Sequence, residues 1–439
     1  MTKMVQVFEA LRRKGFYLAD LLAGGAIIRN YREIKKILSS LGSYGADIIP
    51  QENLNKLLSH AVNTTPFYHE FKDYNTLQDF PVIDKNLILQ NYERFRSSRF
   101  KNERLFKASS SGSTGIPFSI YQNKGKRNRN TADVIYFSEM AGSKVGDKLV
   151  YIKLWDHTNR KSPWINFLQN ISPHNVMDTS VDDLKEFVSK LEKDNSTKAI
   201  LGYPSFFEEL CNYLDKQEKR PSINNVSSII SMAESLKASE RARMTKYFGT
   251  PVFERYSNQE NGILAQKTKG SEDFYTLNWG SYFFEFLQVD SDVPVKKGEV
   301  GRIVVTDLFN YSMPMIRYDT GDMGVFEEIG QGFPVLSKIY GRRMDAIYST
   351  KGKIVSPFIF YLVLDFAEVK QFQFVQTGQK NYVFKLNGSS EMVQEGAIVQ
   401  FFKTYLGEDA QILFEYVDEI PLLSSGKRKK IVNEYWPNA

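Results

Sequence analysis

Apolar residues recur at helical spacing from Leu54 to Val62, and Asn63-Thr-Thr-Pro66 ends that helix because a residue before proline is driven out of the α region. The first hundred residues read in this way as helices joined by loops. Within them Leu18 to Ile28 is apolar and small, with Arg12, Arg13 and Lys14 before it and Asp20 inside it. That stretch is no secretory leader; it predicts an amphipathic helix lying on the protein itself, with attachment to a membrane surface as the alternative. From about residue 130 to 310 the pattern alternates. Lys148–Leu154, Ala199–Tyr203, Val226–Met232 and Pro251–Tyr256 are short β-rich runs. Between them lie helical segments: one opened by the capping box at Ser180 and Asp183 and running to about Leu191, one opened by Ser205 with Glu208, and Ala238–Phe248. Strands separated by helices predict a largely parallel sheet covered on both faces, an α/β fold.

Near Gly301 the pattern changes. Gly301–Asp307 and Gly324–Glu327 read as strands of a more antiparallel region, with Gly and Asp turns between them. The last hundred residues predict strands at Gln371–Gln376, Tyr382–Leu386 and Ile412–Val417 and a helix from about Ser390 to Leu406, an α+β set the size of one small domain. The boundary is placed near Tyr340-Gly341, giving units 1–340 and 341–439. A chain of 439 residues has room for two or three such units with well-buried cores.

Composition narrows the function classes. The net charge of +6 comes from 57 basic and 51 acidic residues spread along the chain, not from blocks that would track a phosphate backbone, so nucleic acid is not an expected partner. The single cysteine, Cys211, excludes an internal disulfide framework and points to a reducing, cytoplasmic setting. His60, His69, His157 and His174 lack zinc-ligand spacing. No run reaches the roughly 18 apolar residues that cross a bilayer.

The chemistry concentrates in a few loops. Ala108-Ser-Ser-Ser-Gly-Ser-Thr-Gly-Ile-Pro117 alternates hydroxyls with glycines, which lets backbone N–H groups approach an oligophosphate closely; alone, the same loop also fits a plain surface turn. It is no Walker A loop. Four further segments follow it in order: Tyr256-Ser-Asn-Gln-Glu-Asn-Gly262, Ile316-Arg-Tyr-Asp-Thr-Gly-Asp322, Tyr340-Gly-Arg-Arg-Met-Asp345 and Ile420-Pro-Leu-Leu-Ser-Ser-Gly-Lys427. The ordered set resembles the adenylate-forming superfamily of acyl- and aryl-CoA ligases, and within it the phenylacetate-CoA ligase and CapK-like group. Asn63-Thr-Thr-Pro-Phe-Tyr68, Pro81-Val-Ile-Asp-Lys85, Gly202-Tyr-Pro-Ser205 and Met232-Ala-Glu234 extend the resemblance over nearly the whole chain.

The resemblance implies a large N-terminal adenylate-forming domain with helix-covered parallel sheets and a small mobile α+β C-terminal domain. It implies ATP and Mg²⁺ as cofactors, with CoA as one of the acceptors left open, and a carboxylate activated as an acyl-adenylate. Ser109, Ser110, Ser111, Gly112, Ser113, Thr114 and Gly115 would hold the phosphates, with Glu234 and Ser257 also in the nucleotide site. Glu260 would bind Mg²⁺, a hard cation that prefers oxygen ligands. Asp322 would accept hydrogen bonds from both ribose hydroxyls. Tyr256 would lie beside adenine, Arg342 would contact ribose or phosphate, and Lys427 would reach the carboxylate and α-phosphate. The chain departs from the pattern in three places. Ile116 stands where many relatives have lysine, Met344 comes before Asp345 at the hinge, and Asn258 and Gln259 come before Glu260. The acceptor stays open between CoA and an amine in surface-polysaccharide biosynthesis, as does a nucleotide-binding homologue without turnover.

Overall fold

The computed structural model describes residues 2–40, 48–110, 118–155, 161–289, 291–329, 333–342, 347–355, 359–360, 362–363, 366–421 and 430–435. Three helices open the chain: α1 (Thr2–Leu22), α2 (Ala26–Ser39) and α3 (Ile48–Thr64). The expected single helix across Leu18–Ile28 is two helices. Gly24 and Gly25 break it at φ of 101° and 66°, a left-handed backbone that favours glycine. Asp20 then turns back, its two carboxylate oxygens accepting from the N–H groups of Ile27 and Ile28 at 3.0 and 2.9 Å and capping α2. After α4 (Lys85–Gln90), β1 (Phe106–Ser110) and β2 (Phe118–Gln122) form an antiparallel hairpin.

The body follows as α5 (Lys124–Met140), β3 (Lys148–Lys153), α6 (Pro163–Gln169), β4 (Ile171–Asn175), α7 (Val181–Lys193), β5 (Lys198–Gly202), α8 (Pro204–Asp215), β6 (Val226–Met232), α9 (Ala238–Phe248) and β7 (Val252–Asn258). The Ser180–Asp183 capping box opens α7 as its spacing predicts. The start of α8 differs from expectation: its N-cap is Tyr203, and the N–H of Ser205 donates to Glu234 Oε2 at 2.9 Å, so a carboxylate from the end of β6 replaces the local cap. Then come β8 (Gly262–Thr268), β9 (Ser271–Leu277), β10 (Tyr282–Leu287), β11 (Val300–Asp307), β12 (Tyr318–Ile329) and β13 (Phe333–Arg342).

Among the described residues these strands, β3 to β13, join in one sheet of order β10-β11-β12-β13-β9-β8-β7-β6-β5-β3-β4. Pairing is parallel from β4 through β7 and antiparallel from β7 to β10. The switch therefore falls at the β7–β8 turn, earlier than the expected Gly301, because Gly262 at φ 113° lets the chain reverse there. Phe206 and Phe207 are fully buried with Leu184 and Phe187 under the parallel half; they are core.

The remaining residues form a short ribbon, β14 (Ile347–Tyr348) with β15 (Ile354–Val355), and a four-stranded sheet. That sheet runs β18 (Gln411–Tyr416), β17 (Asn381–Asn387), β16 (Gln371–Gln376) and β19 (Ile431–Asn433), with α10 (Glu395–Leu406) against it. The helix starts at Glu395 after a 3₁₀ turn over Ser390–Met392, later than its apolar spacing suggested. Stacked rings of Phe360 and Phe374, with centroids 3.8 Å apart, sit between Phe402 and Phe384 at the centre of this unit.

Candidate active site

The β1–β2 stem carries the hydroxyl-rich loop and fixes where it rises. Ser109 pairs with Ser119 in register, their hydroxyls 2.9 Å apart, and Ser110 pairs with Phe118. Residues 111–117 of the loop, with Ser111, Gly112, Ser113, Thr114, Gly115 and Ile116, lie outside the described residues. The Phe118 ring is stacked within 10° of the Tyr318 ring, 6.5 Å between centroids. At the other end of β2, Gln122 Nε2 donates to the carbonyl of Glu260 at 2.9 Å. The hairpin stem is thus tied at both ends to the segments Tyr318–Asp322 and Tyr256–Gly262.

Glu260 sits in the β7–β8 turn and is buried. Its Oε1 accepts from the Tyr318 hydroxyl at 3.3 Å. Asn258, one of the residues that departs from the family pattern, closes the turn by accepting from the N–H of Asn261 at 2.8 Å. Behind the turn stands a buried network. Tyr282 donates to the Asn261 carbonyl at 2.6 Å, Lys126 donates to Tyr282 at 3.0 Å, and Lys126 pairs with Asp307 at 2.7 Å. Burial, with Asp307 and Asp133 adding to it, pushes the Tyr282 hydroxyl far above its ordinary range, so it stays a proton donor.

Tyr256 and Asp322 meet across the sheet. The Tyr256 hydroxyl donates to Asp322 Oδ2 at 2.7 Å and lies 3.2 Å from Thr320 Oγ1, which also accepts from the Asp322 N–H. In the β12–β13 register Asp322 faces Arg342. Ser257 follows Tyr256 on β7, at a register shift opposite Ile263. Arg317, from the same motif as Asp322, turns away: at φ 52° it is buried in an ion pair with Glu285 at 3.1 Å and serves the core.

Glu234 occupies a second corner, after Ala233 at φ 71°, a left-handed backbone that is strained for alanine. One carboxylate oxygen caps α8; the other, Oε1, is buried without a hydrogen-bond partner among the described residues. Around it the ends of β3 and β5 bring Tyr151, Lys153, Trp155 and Tyr203 together. Trp155 donates its indole N–H to the Tyr151 carbonyl at 3.1 Å, and the Lys153 amine lies 4.2 Å from the Trp155 ring centre. Burial, then Tyr151 and Glu234, raises the Tyr203 hydroxyl to about 12. Cys211, on α8, is a core thiol that burial pushes up to about 12, not a nucleophile.

Lys427 lies outside the described residues, within 422–429. Its neighbour Lys430 is described, and it reaches the large unit. The Lys430 carbonyl accepts from Phe374 in the C-terminal sheet, while its amine approaches Glu208 on α8 at 3.7 Å. Glu208 also binds Lys237 at 2.6 Å, and Lys237 binds Glu240 at 3.2 Å. Burial alone would raise the Glu208 carboxyl, but Lys430 and Lys237 outweigh it and hold it below its usual range. Reading from sequence missed Tyr318, Thr320 and Lys430. The first two stood inside a quoted motif; Lys430 lies just beyond the Ile420–Lys427 segment.

Residues 347–434 match the model of the CapK C-terminal domain family. Over 431 residues the chain is 23% identical to protein CapK of Staphylococcus aureus, covering 92% of each sequence. It is 22% identical over 418 residues to phenylacetate-coenzyme A ligase of Pseudomonas putida, covering 91% of this chain and 89% of that one. Among solved structures, 2-hydroxyisobutyryl-CoA ligase in the postadenylation state, bound to an acyl-adenylate, superposes with a TM-score of 0.68 at 16% identity, over 89% of this chain and 90% of that one. ATP-bound MatB from Rhodopseudomonas palustris gives 0.54 at 16% identity, over 74% and 66%.

Proposed function

We propose that this chain belongs to the adenylate-forming superfamily and is an ATP-dependent, AMP-forming ligase whose nucleotide lies between the β1–β2 stem, Glu260 and the Tyr256–Asp322 pair. The observation that carries the reading is the convergence of those three features through Tyr318 and Gln122. In the first half-reaction a carboxylate oxygen attacks the α-phosphorus of ATP, the bond to pyrophosphate breaks, and acyl-adenylate forms. In the second, an acceptor attacks the acyl carbon, AMP leaves, and the acceptor's proton passes to solvent.

The roles proposed follow the chemistry of each group. The loop Ser109 to Gly115 offers hydroxyl and backbone donors to the phosphates. Asp322 accepts from the ribose hydroxyls, steadied by the Tyr256 hydroxyl, while the Tyr256 ring offers a face to adenine; Arg342 and Ser257 flank them. Glu260 supplies a buried oxygen ligand for Mg²⁺, a cation typically held by one or two carboxylates with the remaining positions filled by phosphate oxygens and water. When bound, that ion screens the charge developing on the triphosphate. Glu234, with an oxygen free of partners among the described residues, faces the same strand ends. Lys427 approaches the carboxylate and α-phosphate as a compact charge on a long stem. The unit read from sequence as 341–439 is the part that turns between the half-reactions, but Gly341 and Arg342 end β13 of the large sheet, so the turning part begins after Arg342; its closure completes the site only when needed.

The acceptor is CoA in the first reading, by similarity to the phenylacetate ligase. A second reading, an amine acceptor in cytoplasmic steps of surface-polysaccharide assembly, is favoured by the CapK match over 347–434. Pyrophosphate release with ATP, Mg²⁺ and a panel of carboxylates tests the first half-reaction; adding CoA or amino sugars and identifying thioester or amide separates the two readings. Binding of ATP by folded protein with no pyrophosphate from any acid, aryl, aliphatic and hydroxy acids included, would instead identify a homologue that has lost turnover.

A further inference from the structure

Helix α1 is inside out. A helix on the surface of a globular protein turns its apolar face inward and its charges to water; here the two acids are buried, Glu9 at 5% exposure and Asp20 at 6%, beside half-buried Val5, Phe16 and Tyr17, while the larger set of apolar residues is outside. Glu9 is held by the N–H and hydroxyl of Thr197 at 2.7 and 3.0 Å, Asp20 caps α2, and Arg13 is tied to the Val145 carbonyl and to Asp147. These anchors fix the opposite face toward solvent. Along it lie Met4, Val7, Phe8, Leu11, Leu18 and Leu22, all more than half exposed and at helical spacing, a stripe about 27 Å long at 1.5 Å per residue.

The stripe continues onto α6. The Arg12 guanidinium lies over the Phe167 ring, and Phe167 stacks on Trp164, which is 67% exposed; Leu168 is exposed beside them. An apolar surface of this extent on a protein otherwise well packed marks an interaction site. Among the described residues of α1 and α6 and the turn before α6, the charged side chains that reach water away from the anchored face are Arg12, Lys14 and Lys161, all basic.

We propose that this face lies on an anionic lipid surface, with the α1 stripe and the α6 aromatic residues in the headgroup and acyl boundary and the basic groups on lipid phosphates. A leucine-rich stripe, a basic rim and an exposed tryptophan are what such a surface takes up. A second copy of the chain fits less well, since a two-fold contact through this face would bring like basic groups together. Glu9 contacts the start of β5, so α1 lies at the end of the parallel strands opposite Tyr203 and Glu234. Docking leaves the strand ends that carry the candidate site turned away from the lipid. The inference does not depend on the ligase reading.

The test is co-sedimentation of the full-length protein with vesicles of phosphatidylcholine alone and with phosphatidylglycerol added. The expected result is binding to the anionic vesicles, weakened by salt, and little to the neutral ones. Replacing three exposed residues together, Phe8→Ser, Leu11→Ser and Leu18→Ser, leaves circular dichroism unchanged and lowers partitioning by about tenfold or more. Lys14→Glu, a single exposed change, lowers it about fivefold or more. No binding to anionic vesicles, equal binding by the triple variant, or a dimer in solution that the triple variant dissolves would each overturn the proposal, the last by assigning the face to a second copy.

Discussion

Lys126→Met tests the brace behind the Glu260 turn. The lysine amine is 2.7 Å from Asp307 with both side chains sealed from water, and it donates to Tyr282, which holds the Asn261 carbonyl. Methionine fills a similar volume but removes the cation, leaving the Asp307 carboxylate buried without its counter-charge. Breaking one side of a buried pair costs about 3–5 kcal/mol, a large share of the roughly 5–15 kcal/mol that holds a typical domain. Urea unfolding followed by tryptophan fluorescence measures the loss. The double variant Lys126→Met/Asp307→Asn has no stranded charge, and the oxygen of the new amide still accepts from the Phe309 N–H, which stands 3.0 Å from Asp307 Oδ1. It is expected to recover a good part of the loss, so the two changes are strongly non-additive. A single-variant cost below about 1 kcal/mol, or simple additivity in the double, would refute the view that this pair is the electrostatic centre of the brace.

Two further outcomes follow from the site. Tyr256→Phe removes the hydrogen bond to the Asp322 carboxylate, a charge-assisted bond worth about 1.5–3 kcal/mol, so the KM for ATP in pyrophosphate release rises about tenfold or more while the urea midpoint moves little; an unchanged KM would separate Tyr256 from nucleotide binding. The Glu208 carboxyl, held low by Lys430 and Lys237 against burial, contributes stability that is fully present above about pH 4.3, its ordinary value, and is lost as pH falls through its lower folded value. Glu208→Gln therefore flattens the acid limb of the urea midpoint against pH, and an acid limb identical to wild type would show that the lysines do not hold it.

The local grammar of the chain is legible in residue type and order alone. The Ser180 capping box, the β-rich runs that form β3, β5, β6 and β7, and β16, β17 and β18 of the C-terminal unit follow from side-chain period and turn chemistry acting over a few residues. Several strands escape that reading, β8, β9, β10, β13 and β19 among them, and for β4 the reason is local. β4 contains Pro173 and no alternation, and it survives only because it is the sheet's edge, where a missing N–H leaves no ladder bond unmade.

Residue type and spacing alone specify many of the elements and pick out the segments proposed to carry the chemistry. Which of these groups meet is set by the folded chain. Tyr318 reaches Glu260, Glu234 caps the helix of Ser205, Lys430 crosses to Glu208, and α1 turns its apolar stripe to water. Period tells that a helix has two faces, but the face that is covered depends on neighbours distant in the chain, and hydrogen bonds across such separations leave no periodic trace in it.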